Sequence, residues 1–210
     1  MKRKIVPLGS LALVFGLALA VAGPAAAQDL SSFYVTPKIM MSYQKGDMTG
    51  GRSERDSVFG LGLSVGADLS YSTAWPVRVE AEYLYHGSQS FMNGTANNEV
   101  SAHSLLANAF IDIQTDTALT PYFGGGLGLA WLNNRYTNNN PNSSFKVTRC
   151  NFAWDLGAGV AWSISENLAL DLGYRYMDLG KTDNIVAGNS VSNVSLTAHE
   201  FSLGLRITGF

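Results

Sequence analysis

The stretch Leu170 to Tyr176 constrains the fold more than any other part of this chain. On alternate residues, Leu170, Leu172, Tyr174 and Tyr176 fall on one side and Asp171, Gly173 and Arg175 on the other. Phe201, Leu203, Leu205 and Ile207 repeat the beat against Ser202, Gly204 and Arg206. Successive side chains of a strand point to opposite faces, so each segment is apolar on one face and charged or bare on the other. In a water-soluble sandwich a second sheet would cover the apolar face. Here the start of the chain and the repetition of such segments point to lipid as the cover.

Lys2, Arg3 and Lys4 precede an apolar run from Leu11 to Val21, and Pro24-Ala25-Ala26-Ala27 supplies small residues for cleavage. That order is a secretory signal peptide, residues 1–27, too short to span a membrane as a helix. The barrel domain then occupies residues 28–210. Losing three basic residues takes the formal charge of −2 for the whole chain to about −5. A nucleic-acid partner is not expected. The single cysteine, Cys150, excludes an internal disulfide and a thiolate zinc cluster.

About eight segments alternate with period two. Near Phe33–Tyr43, Val35, Ile39, Met41 and Tyr43 face out while Lys38 faces in. Near Val58–Leu69, Phe59, Leu61, Leu63 and Val65 oppose glycines and Asp68. Near Val77–His86, Val77, Val79, Tyr83 and Tyr85 oppose Arg78, Glu80, Glu82 and His86. Leu105, Ala107, Ile111 and Ile113 oppose Asn108 and Asp112. Leu127, Leu129 and Trp131 oppose Gly124, Gly126 and Gly128. Phe152, Trp154, Leu156 and Trp162 oppose Asp155, Gly157 and Gly159.

Long polar connections near 45–57, 88–98, 133–151 and 180–195 alternate with short ones near 70–76, 115–119 and 163–167. Unequal loops on two sides, with an even strand number, describe an all-β, eight-stranded antiparallel up-and-down transmembrane barrel. A sandwich would need branched aliphatics on its inner faces. These inner faces hold glycine and charge, which decides for the barrel. Tyr83, Tyr85, Trp131, Trp154, Tyr174 and Tyr176 lie toward the long-loop ends, and Tyr71, Tyr122 and Trp162 toward the short turns. Aromatic girdles at both interfaces are expected of such a barrel.

Tyr174-Arg175-Tyr176-Met177-Asp178-Leu179-Gly180-Lys181 resembles the penultimate strand of the small OmpA-like and opacity-protein-like outer-membrane barrels. Pro121-Tyr122-Phe123-Gly124-Gly125-Gly126-Leu127-Gly128 and the closing Phe210 resemble it too, so the likeness covers essentially the whole mature chain. The resemblance implies a Gram-negative outer-membrane location. It also implies insertion by the barrel-assembly machinery, which reads the last strand: here Phe201, Leu203, Leu205, Ile207 and Phe210. Phe210 is out of phase with the other four, and a bulge at Gly209 would restore the phase. No peptidoglycan-binding activity is carried over.

The charged inner faces place Lys38, Arg78, Arg175 and Arg206 with Asp68, Glu80, Glu82, Asp112, Asp155, Asp171 and Glu200 in one lumen. Eight strands leave an interior that side chains just fill, so these charges must pair. Arg175 would find Asp155 and Glu200 on the flanking segments. A packed plug of ion pairs is the first reading; a narrow polar path, with water beside the inward glycines, is the second. His103 adjoins Ser104 and His199 adjoins Glu200, but strand neighbours face opposite ways. Only His86 could meet a neighbouring strand's serine in the lumen, and no nucleophile motif accompanies it.

The expected function is a surface-exposed outer-membrane barrel with a structural or surface-interaction role. Lipid and lipopolysaccharide surround it, and the long loops meet a host or cell-surface ligand. The alternatives are a narrow porin-like channel and a barrel-embedded lipid-modifying enzyme. No catalytic, metal or cofactor residue is assigned.

Overall fold

The computed structural model of the chain describes residues 32–48, 53–71, 75–93, 96–138, 144–186 and 190–209. Residues 1–27, read above as a signal peptide, Phe210 and the side chain of Tyr71 lie outside the described residues. Eight strands follow one another: β1 Phe33–Met48, β2 Ser53–Asp68, β3 Val77–Asn93, β4 Ala96–Asp112, β5 Leu119–Asn138, β6 Ser144–Ser165, β7 Leu168–Val186 and β8 Ser190–Thr208. Each pairs antiparallel with its neighbour, and β8 closes on β1.

Register fixes the shape. Following cross-strand partners from Val35 through Val65, Ala81, Ala107, Leu127, Trp154, Asp178 and Thr197 leads back to β1 at Lys45, ten residues above the start. That stagger tilts the strands by about 40° and leaves an interior that side chains can fill. The alternation read from sequence sets the faces. Phe59, Leu61, Leu127, Phe152, Leu156, Leu172 and Phe201 are exposed on the outer wall. Arg78, Glu80, Glu82, Asp155 and Glu200 are buried inside.

The strands run 16 to 22 residues, about twice the 9–11 needed to cross a bilayer. Most of the four segments read as long polar loops therefore belong to hairpin strands. Residues 49–52, 94–95, 139–143 and 187–189 are all that separate β1 from β2, β3 from β4, β5 from β6 and β7 from β8. The reason is physical. A hairpin beyond the bilayer needs no apolar face, so it lacks the alternation that reveals a strand.

Two seams divide this outer half. The β2–β3 ladder stops at Gly60↔His86 and the β6–β7 ladder at Trp154↔Asp178, while β1–β2, β5–β6 and β7–β8 continue toward their tips. Above the bilayer the barrel thus parts into two four-stranded sheets, β3 to β6 and β7-β8-β1-β2. At the root of one seam, β7 bulges between Asp178 and Lys181 at Gly180, whose φ of 80° suits glycine. There Asn151 Nδ2 donates to the carbonyls of Leu179 and Lys181, at 3.2 and 2.8 Å. At the opposite end Asp68 accepts from the Ser70 amide at 2.9 Å and caps the short 3-10 turn Leu69–Tyr71. Gly209 has a φ of 72°, which ends β8 before Phe210.

Candidate functional site

The lumen is filled in three layers. Near the short-turn end, Arg78 Nε donates to both Asp112 oxygens at 2.8 and 2.7 Å, and its Nη1 donates to Glu80 Oε1 at 2.9 Å. Tyr34 OH donates to the same Glu80 oxygen at 2.8 Å. The Arg78 guanidinium lies 4.8 Å from the Tyr122 ring centroid and 5.0 Å from that of Phe110. Arg206 pairs with Asp171, which also accepts from Tyr122 OH at 2.5 Å. Tyr122 therefore belongs to the lumen and not to the short-turn girdle. It sits on the even, inward beat of β5, with its hydroxyl satisfied by a carboxylate.

Above this layer Arg175 bridges two strands. Its Nη1 reaches Glu82 Oε2 at 2.5 Å and its Nε reaches Glu200 Oε2 at 2.7 Å. Lys38 Nζ holds the other Glu82 oxygen at 2.6 Å, and Asn108 Nδ2 donates to Oε2 at 3.0 Å. Asp155 and Asp68 depart from the sequence reading. Asp155 is buried with an Oδ2 that finds no hydrogen-bond partner, and Arg175 takes Glu82 instead. Asp68 serves the turn. Between the layers is a cavity of about 40 Å³ bordered by Lys38, Glu82, Asp155, Asp171 and Arg175, space for a few waters at most.

The third layer was not foreseen. Met40, Leu84, Leu106, Leu132, Met177, Leu179 and Leu196, with four alanines, form a buried apolar cluster toward the outer hairpins. Each falls on the inward beat of its strand, which is the signal that could have revealed it. Gly157 and Gly173 border that small cavity, but other inward glycines are filled by neighbouring side chains. A side-chain carbon at Gly66 would collide with the Tyr34 ring, at Gly159 with the Tyr122 ring, and at Gly60 with Met40. These glycines let large inward side chains lie flat against the opposite backbone.

His86 sits between the layers, with Nε2 3.4 Å from Ser104 Oγ and Nδ1 3.1 Å from Glu200 Oε1. The order Ser–His–Glu has the composition of a hydrolytic triad. Its geometry does not match: the His86–Glu200 approach is close enough for an ion pair but is not aligned as a hydrogen bond. All three side chains are also sealed from solvent. The group is a polar strut between β3, β4 and β8.

On the outer wall Tyr83, Tyr85, Trp131, Trp154, Tyr174 and Tyr176 face out in the upper half, and Trp162 faces out near the β6–β7 turn. His103 lies in register between Tyr85 and Trp131, and His199 between Tyr176 and Tyr43. Phe201, Leu203, Leu205 and Ile207 share the outward face of β8. Cys150 is exposed on β6, opposite Trp131, inside a strand and not at a loop end.

A family model described as outer membrane protein beta-barrel domain matches residues 11–207. The outer membrane protein PagN of Salmonella typhimurium is 27% identical over 173 residues, 70% of this chain and 72% of that one. A putative adhesin of Rickettsia bellii is 22% identical over 191 residues, 80% of this chain and 82% of that one. Among solved structures, Ail of Yersinia pestis, in complex with the heparin analogue sucrose octasulfate, superposes with a TM-score of 0.55 at 14% identity. It covers 84% of this chain and 99% of Ail.

Proposed function

This chain belongs to the outer membrane protein beta-barrel domain family, and we propose that it acts there as a surface-contact barrel of the adhesin type. In this reading the lumen is a filled strut, and the interaction surface is the outer half of the hairpins, which stands clear of the lipid. The observation that carries it is the three-layer filling of the lumen. Two layers of ion pairs and a dry cluster around Leu84, Leu132 and Leu179 cross the interior. A conducting path would have to break both: unpairing buried charge costs several kcal/mol, and water entering the apolar layer finds no hydrogen-bond partner. Such a lumen supports hairpins and argues against a porin-like role. The sealed Ser104 argues against hydrolysis. The putative adhesin of Rickettsia bellii supports the same role. Insertion by the barrel-assembly machinery through the β8 face, into a lipopolysaccharide-bearing membrane, belongs to the proposal.

The test pairs two measurements on the full chain. Purified folded protein is placed in a planar bilayer, and bacteria displaying it are scored for binding to animal-cell monolayers and matrix-coated surfaces. A variant with residues 135–146 replaced by a two-residue Asn-Gly turn leaves the partners Asn134 and Val147 on either side of the turn and keeps the register of the membrane part of the β5–β6 hairpin. Little steady conductance is expected from the wild type, with binding that falls when hairpins are shortened. Steady ohmic conductance, or binding indifferent to shortening each of the four hairpins, refutes the proposal.

A further inference from the structure

The outer wall carries the same constellation twice. Tyr83 OH lies 2.7 Å from His103 Nδ1, and Tyr174 OH lies 2.8 Å from His199 Nδ1. In each case a second tyrosine two residues on packs against the imidazole, Tyr85 at 5.0 Å and Tyr176 at 5.3 Å between ring centroids. A third aromatic closes the row, Trp131 beside His103 and Tyr43 beside His199. The histidines sit on β4 and β8, four strands apart in a ring of eight, on opposite sides of the molecule. The chain shows the duplication, with Tyr-x-Tyr at 83–85 and 174–176 and Ala-His at 102–103 and 198–199.

Both lie where the outer wall changes character. Below them the outward beat is apolar, Leu105 and Ala107 on β4, Phe201 and Leu203 on β8. Above them it is polar, Ser101 on β4 and Thr197 on β8. That boundary is the outer lipid–water interface. Ordinary girdle aromatics need no imidazole. In the tautomer with the ring hydrogen on Nε2, the phenol donates to Nδ1 and the Nε2 edge is a donor beside the headgroups. Basic side chains rise on the same outward beat above each row. Arg135 and Lys146 face each other above the first, with Glu99 in register on the other side of Arg135; the exposed Lys181 stands beside β8 above the second.

We propose that these are two binding sites for phosphorylated lipid headgroups of the outer leaflet. The histidine Nε2–H donates to a phosphate oxygen, the tyrosines hold the imidazole, and the exposed Arg135, Lys146 and Lys181 above meet further negative charge. This goes beyond surface contact and does not depend on it, because the sites face lipid and not a host.

The test uses the whole folded protein in nanodiscs containing lipopolysaccharide or the same lipid after enzymatic removal of its phosphates. Retained lipid is counted by native mass spectrometry, and the imidazole nitrogens are followed by NMR. Phosphorylated lipid is expected to shift both Nε2 resonances and to be retained about tenfold better, the scale of a charge-assisted hydrogen bond. The double change His103→Phe and His199→Phe keeps an aromatic at each site but removes the donor, and should abolish the preference. His103→Gln with His199→Gln places an amide nitrogen near Nε2 and should restore much of it. Equal retention of both lipids by the wild type, or a preference that survives the phenylalanine variant, overturns the proposal. So does the same Nε2 shift with inorganic phosphate alone, which would mean that the site reads the free ion.

Discussion

Replacing Arg175 by methionine tests the lumen directly. The substitution keeps much of the side-chain volume and removes contacts of 2.5 Å to Glu82 and 2.7 Å to Glu200. The two carboxylates are not left alike. Glu82 retains Lys38 at 2.6 Å and Asn108 at 3.0 Å. Among the described residues, Glu200 retains only His86, at 3.1 Å and out of hydrogen-bond alignment. One buried charge therefore loses its compensation, the case in which breaking a buried pair costs about 3–5 kcal/mol. The small cavity beside Arg175 admits some water, so the lower end, about 3 kcal/mol, is expected. Adding Glu200→Gln removes the orphaned charge, and the double variant should recover about 1–2 kcal/mol as a coupling term. Adding Glu82→Gln instead should recover less, because it leaves Lys38 facing a neutral amide. The assay is reversible urea unfolding from phospholipid vesicles, followed by tryptophan fluorescence. An Arg175→Met loss below about 1 kcal/mol, or no difference between the two double variants, would refute the ion-pair account of the lumen.

Leu172 is 51% exposed on the outer wall, and Leu172→Arg should cost about 2–4 kcal/mol near the midplane in the same assay; equal tolerance of arginine at Leu172 and Asp171 would contradict the faces. At Gly173 an added methyl would sit 2.7 Å from Ser202 Oγ and 3.1 Å from Tyr122 OH. Gly173→Ala is therefore expected to cost about 1–3 kcal/mol by overpacking, with part recovered by Ser202→Ala; a cost that Ser202→Ala leaves untouched would show that the clash is not the cause. Cys150, on the hairpin side of the barrel, should react with a membrane-impermeant maleimide on intact cells. Failure there, when the detergent-solubilised folded protein reacts, would argue for the reverse orientation.

Period-two alternation was enough, before any coordinates, to fix the faces of Leu170–Tyr176 and Phe201–Ile207. Turn spacing was enough to give eight strands. Both follow from one-dimensional facts: a strand side chain points in or out by parity, and a lipid-facing wall must be apolar throughout. The inward parity of Lys38, Arg78, Glu80, Glu82, Arg175 and Glu200 followed for the same reason, whereas Asp68 serves the turn after β2. What parity cannot give is height and azimuth. Only the ten-residue stagger decides that Arg175 meets Glu82, 93 positions away in the chain, and leaves Asp155 without that partner. Tyr122 shows the same limit: its parity pointed inward, and its place near a turn suggested a girdle. Only the closed barrel, with Gly159 opposite and Asp171 within reach, settles where the ring goes. The outer hairpins were illegible for another reason. Beyond the bilayer no solvent asymmetry writes a pattern into the sequence, and those strands exist because β4 pairs with β5, and β8 with β1, above the rim.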